Sequence, residues 1–305
     1  FFLCFIMVEK IKLTLLGTST QIPTAKRNHF AALLTYNEEN ILVDCGEGTQ
    51  RQFRKARLNP CKVTRILLTH SHGDHVFGLP GLISTLNASE YNKDLFIYGP
   101  RGIKRFLDVF LDLNFKRNFK IIVKEVSGKF LETDKFYLEA ERMDHGTPTN
   151  AYSFVLKDKL RIDKKKLAKS KLKQGPFLNK ILDGKDVVVG GQKIKFKSLT
   201  YSEKGKKISF VLDTLDNPRI VPFVKGSDLL VCESSFGKDL IKEAKEKKHL
   251  TSEQAGKIAK RAKVGELVLT HISQRYEGDL KGLLSEAKEG FSNVKISKDL
   301  DEFEV

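Results

Sequence analysis

His70-Ser71-His72-Gly73-Asp74-His75 follows directly on the apolar run Ile66-Leu67-Leu68-Thr69. Three imidazoles and a carboxylate packed this closely form a metal-binding pattern. A helix would scatter positions 70, 72, 74 and 75 around its circumference. A strand end turning through Gly73 aims all four into one small volume, suited to two ions. A solvated polar loop is the competing reading, but crowded histidines without metal repel one another whenever they protonate.

The remaining donors are placed in the same way. His145 follows the strand-like stretch 136–142, and Asp213 ends the run Ile208-Ser209-Phe210-Val211-Leu212. His271 closes Leu267-Val268-Leu269-Thr270, nearly a copy of the strand before His70. Each candidate donor therefore stands at the carboxyl end of an apolar strand, where an α/β scaffold gathers a site on rigid elements. Five of the seven histidines fall in this pattern, which argues against chance placement.

A chain of 305 residues with 40% hydrophobic content can build a substantial core. A single copy of the histidine loop argues for one catalytic unit. The net charge of +16 draws the protein toward phosphate-rich partners in a salt-sensitive way, although a merely charged surface would have the same sum. Cys4, Cys45, Cys61 and Cys232 show no paired spacing, so free thiols in a reducing, cytoplasmic compartment are expected. Residues 1–6 are apolar but too short to span a membrane and lack a preceding basic region. They are expected to precede a native start at Met7, with 7–305 forming one catalytic domain. No other segment reaches membrane-spanning length, so no membrane partner is expected.

Half of the net charge sits in one segment: residues 157–185 hold eleven Lys or Arg against three Asp. Lys164-Lys165-Lys166 leads through further lysines, including Lys171 and Lys173, to Gly175-Pro176 and then Phe177, Leu178, Ile181 and Leu182. The segment reads as an inserted basic arm with a small apolar tip. A disordered surface linker is the alternative, but apolar residues at helical spacing need something to pack on.

The order and spacing of these donors resemble the metallo-β-lactamase superfamily, and further segments narrow the resemblance to the ribonuclease Z family. These are Asp44-Cys45-Gly46-Glu47-Gly48-Thr49-Gln50-Arg51-Gln52, Gly78-Leu79-Pro80-Gly81-Leu82, His249-Leu250-Thr251 and Thr270-His271-Ile272-Ser273-Gln274-Arg275-Tyr276. The resemblance runs from about residue 11 onward. It implies an αβ/βα four-layer sandwich interrupted by a flexible arm at 157–185 that grips transfer RNA, with Gly175-Pro176 near its end. It implies two Zn2+ per subunit, with Mn or Fe as alternatives: His70, His72 and His145 on one, Asp74, His75 and His271 on the other, and Asp213 between them. The implied activity is removal of the 3′ trailer from precursor transfer RNA, leaving a 3′-hydroxyl on the tRNA and a 5′-phosphate on the trailer. A homodimer, with one subunit's arm serving its partner, is implied as well.

In this reading Asp74 takes or orients the proton of the attacking water, and His249 protonates the departing 3′ oxygen. His249 precedes Thr251 and Gln254, which have capping-box spacing, so it should stand at a helix start. A helix N-terminus disfavours imidazolium, so a protonated His249 needs a carboxylate, and Glu233 is the candidate. A chance surface histidine is the alternative. Asp44 reads as hydrogen-bonding a ligand imidazole, or as a plain turn former. Arg27 and Asn28 match a family loop that handles the acceptor end. Arg275 would meet a phosphate or form a surface ion pair. Another hydrolase of the superfamily, a phosphodiesterase or thioester hydrolase, is the alternative function, and a non-catalytic RNA-binding module the third. The basic arm argues against the former, and the complete donor set against the latter.

Strands are expected near 11–16, 30–36, 40–44, 64–69, 95–98, 120–127, 135–142, 151–156, 193–200, 207–212, 228–232 and 266–270. Helices are expected within 49–57, 78–87, 102–112, 237–246, 252–262 and 279–289. Two facing sheets with helices outside satisfy this mixture.

Overall fold

The computed structural model describes residues 10–111, 118–170, 172 and 175–305. The 1–6 stretch, Cys4, Met7, Lys171 and Lys173 lie outside the described residues. The strands Leu229–Glu233 and Glu266–Thr270 are apolar along almost their whole length and buried on both faces. Such runs belong at the centre of a parallel sheet covered on both sides. They pair in parallel with each other, with Lys207–Val211 on one flank and Val294–Ile296 on the other. Thr149–Leu156, Phe136–Met143 and Gly128–Glu132 complete this seven-stranded sheet.

The other seven-stranded sheet runs in the order Glu302–Glu304, Ile11–Gly17, Ala31–Tyr36, Glu39–Val43, Arg65–Leu67, Leu95–Gly99 and Ile121–Glu125. Its outer face packs Leu42, Ile66 and Ile97 against Phe53, Leu82, Leu86 and Leu107 of the helices Thr49–Lys55, Leu79–Ala88 and Ile103–Leu111. On the other sheet, Leu230, Cys232, Leu267 and Leu269 meet Ile258, Ala259, Leu283 and Ala287 of Ser252–Ala262 and Leu280–Gly290. Those two helices touch at Gly256, where a Cβ would stand 2.3 Å from the Ala287 carbonyl oxygen. The inner faces meet through Tyr36 on Phe154 and Tyr98 on Phe130, and the Tyr152 hydroxyl donates to the Leu68 carbonyl. This is the expected helix–sheet–sheet–helix sandwich.

A smaller unit comprises Glu132–Tyr137 and Val155–Lys206. Within it Lys159–Ile162 pairs with Thr200–Glu203, and Val187–Val189 with Gln192–Ile194. The helices Lys164–Lys169, Phe177–Leu182 and Phe196–Leu199 enclose a core of Leu167, Ile181, Val187, Ile194 and Leu199. The basic segment at 157–185 is thus part of a longer folded unit that runs to Lys206. Its apolar tip has a partner close at hand: Phe177, Leu178 and Ile181 pack into that same cluster.

Two sequence expectations are corrected. The single strand at 193–200 is instead a strand, a helical turn and a second strand, because Phe196 and Leu199 lie three apart and share the inward face of a turn. The strand expected over 120–127 ends at Glu125, and a second one begins at Gly128, whose φ of +62° suits glycine.

Candidate metal centre

Arg65–Leu67, Lys207–Val211 and Glu266–Thr270 deliver His70, Asp213 and His271 just beyond their carboxyl ends. The histidine loop is more structured than a simple strand end. His72, in extended conformation, is the N-cap of a one-turn helix Gly73–Val76, so Asp74 and His75 occupy its first turn. The extended half carries His70 and His72 and the helical half Asp74 and His75, which separates the four donors into two pairs.

His70, His72, His145 and Asp213 place donor atoms within 4.8 Å of one another, as do Asp74, His75 and His271. Asp213 faces both sets. Its Oδ2 lies 3.7 Å from Nε2 of His70 and 3.7 Å from Nε2 of His145, while Oδ1 lies 3.5 Å from Nε2 of His75 and 3.3 Å from Nε2 of His271. Asp74 Oδ2 is 3.3 Å from Nε2 of His75 and 3.4 Å from Nε2 of His271. A tetrahedral ion with 2.0–2.1 Å bonds has donor–donor edges of about 3.3 Å, so this spacing fits a metal between the donors. Two buried atoms at this point, His75 Nε2 and Asp213 Oδ1, have no hydrogen-bond partner among the described residues. Buried polar atoms are almost always satisfied, and a divalent cation satisfies these two.

The other ring nitrogens are held from behind. His75 Nδ1 donates to Asp44 Oδ2 at 2.7 Å, and Asp44 also accepts the Thr69 backbone N–H and hydroxyl, each at 2.7 Å. Nδ1 of His70 meets the Thr69 hydroxyl at 3.0 Å, Nδ1 of His145 the Lys248 carbonyl at 3.0 Å, and Nδ1 of His271 the Ser235 hydroxyl at 3.0 Å. Such contacts fix the tautomer that turns Nε2 toward the ion. Asp44 and His271 adopt left-handed φ values of 56° and 55°, a strained conformation for non-glycine residues that recurs at functional sites.

Charge follows the same plan. Burial and neighbouring histidines hold His70 well below the usual imidazole range, and burial also lowers His72. Burial opposes charge on His75, but Asp74, Asp44 and Asp213 together carry it well above that range. Burial likewise disfavours the Asp74 and Asp213 carboxylates, yet the surrounding histidines hold both well below the ordinary carboxylate range. These acidic groups require positive charge, from protons or from metal.

Glu233, fully buried, accepts the Thr214 N–H at 2.7 Å and the Ser235 hydroxyl at 2.6 Å. Its Oε2 also lies 2.9 Å from Nδ1 of His249, whose Nε2 points toward Asp213 Oδ2 at 3.9 Å. Thr251 caps the Ser252–Ala262 helix in a full capping box with Gln254, so His249 sits at a helix start as the spacing implies. Burial lowers its basicity, but Glu233 and Asp213 raise it to about 9.

Other expected residues stand elsewhere. Arg27 is 5% exposed and its guanidinium donates to Thr18 Oγ1 and the Ser297 carbonyl, so it braces its loop from inside and is turned away from solvent. Asn28 donates to the Glu47 carbonyl at 2.7 Å. Arg275 is exposed, with its guanidinium over the Phe236 ring. Gly175, Pro176 and the exposed Lys164, Lys165 and Lys166 belong to the smaller unit, where Asp163 caps the lysine helix. Thr69, Ser235 and the Lys248 carbonyl were not anticipated. For Thr69 a signal existed, the repeated Thr-His at the ends of two similar strands.

Residues 25–152 match the metallo-beta-lactamase superfamily model. The ribonuclease Z of Nanoarchaeum equitans is 38% identical over 268 residues, 87% of this chain and 84% of its own. That of Listeria innocua is 38% identical over 304 residues, 97% and 99% of the two chains. Among solved structures, human tRNase Z, short form, superposes with a TM-score of 0.69 at 25% identity, covering 96% of this chain and 98% of its own. With its fold, its acidic-imidazole centre and relatives matched along nearly their full length, the chain belongs to the ribonuclease Z family of the metallo-beta-lactamase superfamily.

Proposed function

We propose that this protein is a metal-dependent endoribonuclease that removes the 3′ trailer of precursor transfer RNA, leaving a 3′-hydroxyl on the tRNA and a 5′-phosphate on the trailer. The observation that carries the reading is Asp213 facing two donor sets while His249, backed by Glu233, points into the same volume. His70, His72 and His145 would hold one ion, Asp74, His75 and His271 the other, and Asp213 both. The imidazole-rich set favours zinc, and two ions per subunit.

When bound, the ions supply Lewis-acid stabilisation of the phosphate oxygens and a water acidic enough to attack at neutral pH. Asp74, held ionised by its histidine neighbours, would accept a hydrogen bond from that water and orient it. Glu233 favours a protonated His249, whose Nε2 would deliver a proton to the departing 3′ oxygen. Glu233 supplies the compensating charge and, through Ser235, also steadies His271. The Lys164–Lys169 helix offers exposed cations to the tRNA body. We place the enzyme in the cytoplasm, where Cys45, Cys61 and Cys232 remain free thiols, and as a homodimer.

The test is incubation with a transfer RNA carrying a 3′ extension, with and without chelator, followed by zinc restoration. Cleavage at the tRNA end that stops with chelator and returns with zinc is expected. An active, metal-free preparation indifferent to EDTA would overturn the reading.

A further inference from the structure

The residue beside the proton donor, Lys248, joins it to a metal-ligand segment. The helix Ile241–Glu246 ends in two hydrogen bonds, from the Lys248 N–H to the Lys245 carbonyl at 3.2 Å and from the His249 N–H to the Ala244 carbonyl at 2.8 Å. This ending fixes the backbone of His249 and puts the preceding residue in the left-handed conformation, where glycine is favoured. Lys248 adopts it with a φ of +56°, a strain that glycine would not carry.

Its contacts all fall on one pair of residues. The Lys248 carbonyl accepts from Nδ1 of His145 at 3.0 Å, while Nζ donates to Asp144 Oδ1 at 2.9 Å and reaches the His145 carbonyl at 3.5 Å. Asp144 is itself tied to the segment after Asp213: its carbonyl accepts the Leu215 N–H at 2.7 Å, and its N–H donates to Thr214 Oγ1 at 3.2 Å. Lys248 therefore connects the segments that carry His145, Asp213 and His249. The rings of His145 and His249 stand 5.1 Å apart between centroids. The side chains of Lys248 and Asp144 are 42% and 44% exposed, so their ion pair adds little to stability. What a strained backbone and a weak pair can define is position.

Lys263 supplies the comparison. It ends the helix Ser252–Ala262 with the same two bonds, from its own N–H to the Lys260 carbonyl at 3.2 Å and from the Val264 N–H to the Ala259 carbonyl at 3.2 Å, and its φ is +54°. Its side chain is exposed and makes no ion pair or hydrogen bond among the described residues. The two lysines share a backbone, and only Lys248 has a clasp.

Resting on the ribonuclease reading, we propose that Lys248 is a positioning residue: by clasping Asp144 it holds the ring of His249 at a set distance from the metal ligand His145, so that the proton donor stays in register with the metal centre.

The test compares Lys248→Gly, Asp144→Ala, the double variant and Lys263→Gly with the wild type, all matched for bound zinc by elemental analysis. Both glycine variants shed the left-handed strain, so Lys263→Gly should melt about 2 °C above the wild type and Lys248→Gly no lower than it. Lys263→Gly cuts precursor tRNA at the wild-type rate. Lys248→Gly and Asp144→Ala each lower kcat about tenfold with KM little changed, and the double variant loses no more than either. Hydrolysis of bis(p-nitrophenyl) phosphate, which releases a phenolate, stays within about twofold of wild type. In the zinc-loaded protein the nuclear Overhauser effect between the ring protons of His145 and His249 weakens in Lys248→Gly and returns in Lys248→Arg. A wild-type kcat in Lys248→Gly, additive losses in the double variant, equal slowing on both substrates, a Lys248→Gly protein that melts well below the wild type, or an unchanged Overhauser effect overturns the assignment. The ribonuclease reading fails separately, if wild-type protein hydrolyses the nitrophenyl ester yet cuts no precursor, and the Overhauser effect then still decides whether Lys248 sets the distance.

Discussion

Replacing Glu233 by glutamine removes a charge 2.9 Å from Nδ1 of His249 while keeping the side chain's shape and its acceptor for the Thr214 N–H. Burial pulls the His249 imidazole down, and Glu233 is the larger of the two carboxylate influences that bring it to about 9. Without that influence the midpoint should fall to 6.5 or below, a drop of at least 2.5 units from the value of about 9. Such a drop is worth about 3 kcal/mol. In the metal-free protein the protonated fraction at about pH 8 would go from about 0.9 to about 0.03, and in the metal-loaded enzyme cleavage that needs this proton should slow in the same direction. The deficit should vanish in mild acid, where both proteins are protonated. Histidine titration by NMR in the chelated protein reads the midpoint directly. Parallel rates on precursor tRNA and on bis(p-nitrophenyl) phosphate, whose leaving group needs no proton, separate acid catalysis from structural damage. An unchanged midpoint, or equal slowing on both substrates, refutes the role given to the pair. Because the folded pKa is raised, the stability it brings is complete below pH 6.5 and disappears as pH rises through about 9. Urea melts of the chelated wild type across that window should therefore lose about 3 kcal/mol, and those of Glu233→Gln much less.

Asp44→Ala strips His75 and Thr69 of three hydrogen bonds in a fully buried site; metal affinity, measured by chelator competition, should fall about ten- to a hundredfold. Gly46→Ala would set a Cβ 2.4 Å from the Asp74 carbonyl oxygen and 2.4 Å from His29 Cβ, so thermal melts should show a loss of about 1–3 kcal/mol and a displaced Asp74; an unshifted Tm would contradict the packing described. Loading metal at neutral pH should release a proton from His75, which its carboxylate neighbours hold charged, while His70 and His72, held neutral by burial, give none; calorimetry in buffers of different ionisation heat measures it, and zero release would disprove the charge assignment. Lys164→Ala/Lys165→Ala/Lys166→Ala keeps the Asp163 cap, so the fold should survive while precursor binding weakens and its salt dependence becomes shallower by up to about three phosphate contacts.

The placement of His70, Asp213 and His271 was readable because each follows an apolar strand, and strands declare themselves through local runs such as Leu267-Val268-Leu269. The capping box at Thr251 is equally local, so the helix start behind His249 was legible too. What binds these pieces is not local. Glu233 and His249 are sixteen residues apart, and Ser235 reaches His271 across thirty-six, distances over which no sequence periodicity operates. The inward turn of Arg27 depends on Ser297, 270 positions away, so a basic residue in a loop looked like a surface contact. In the smaller unit, lysines between apolar residues imitated strand alternation where a helical turn forms at Phe196–Leu199.

The sheet that presents His70 is closed from the far end of the sequence: Glu302–Glu304 pairs with Ile11–Gly17, the Thr18 hydroxyl donates to Asp299 at 2.7 Å, and the Asn28 N–H does the same. Contacts of such high sequence separation make for slow folding. During synthesis the first strand must wait, with one edge open, until Glu302–Glu304 has left the ribosome some 290 residues later. His271 emerges late as well, so a nascent chain cannot assemble both donor sets, and hydrolytic power arises only when translation of this region is nearly over.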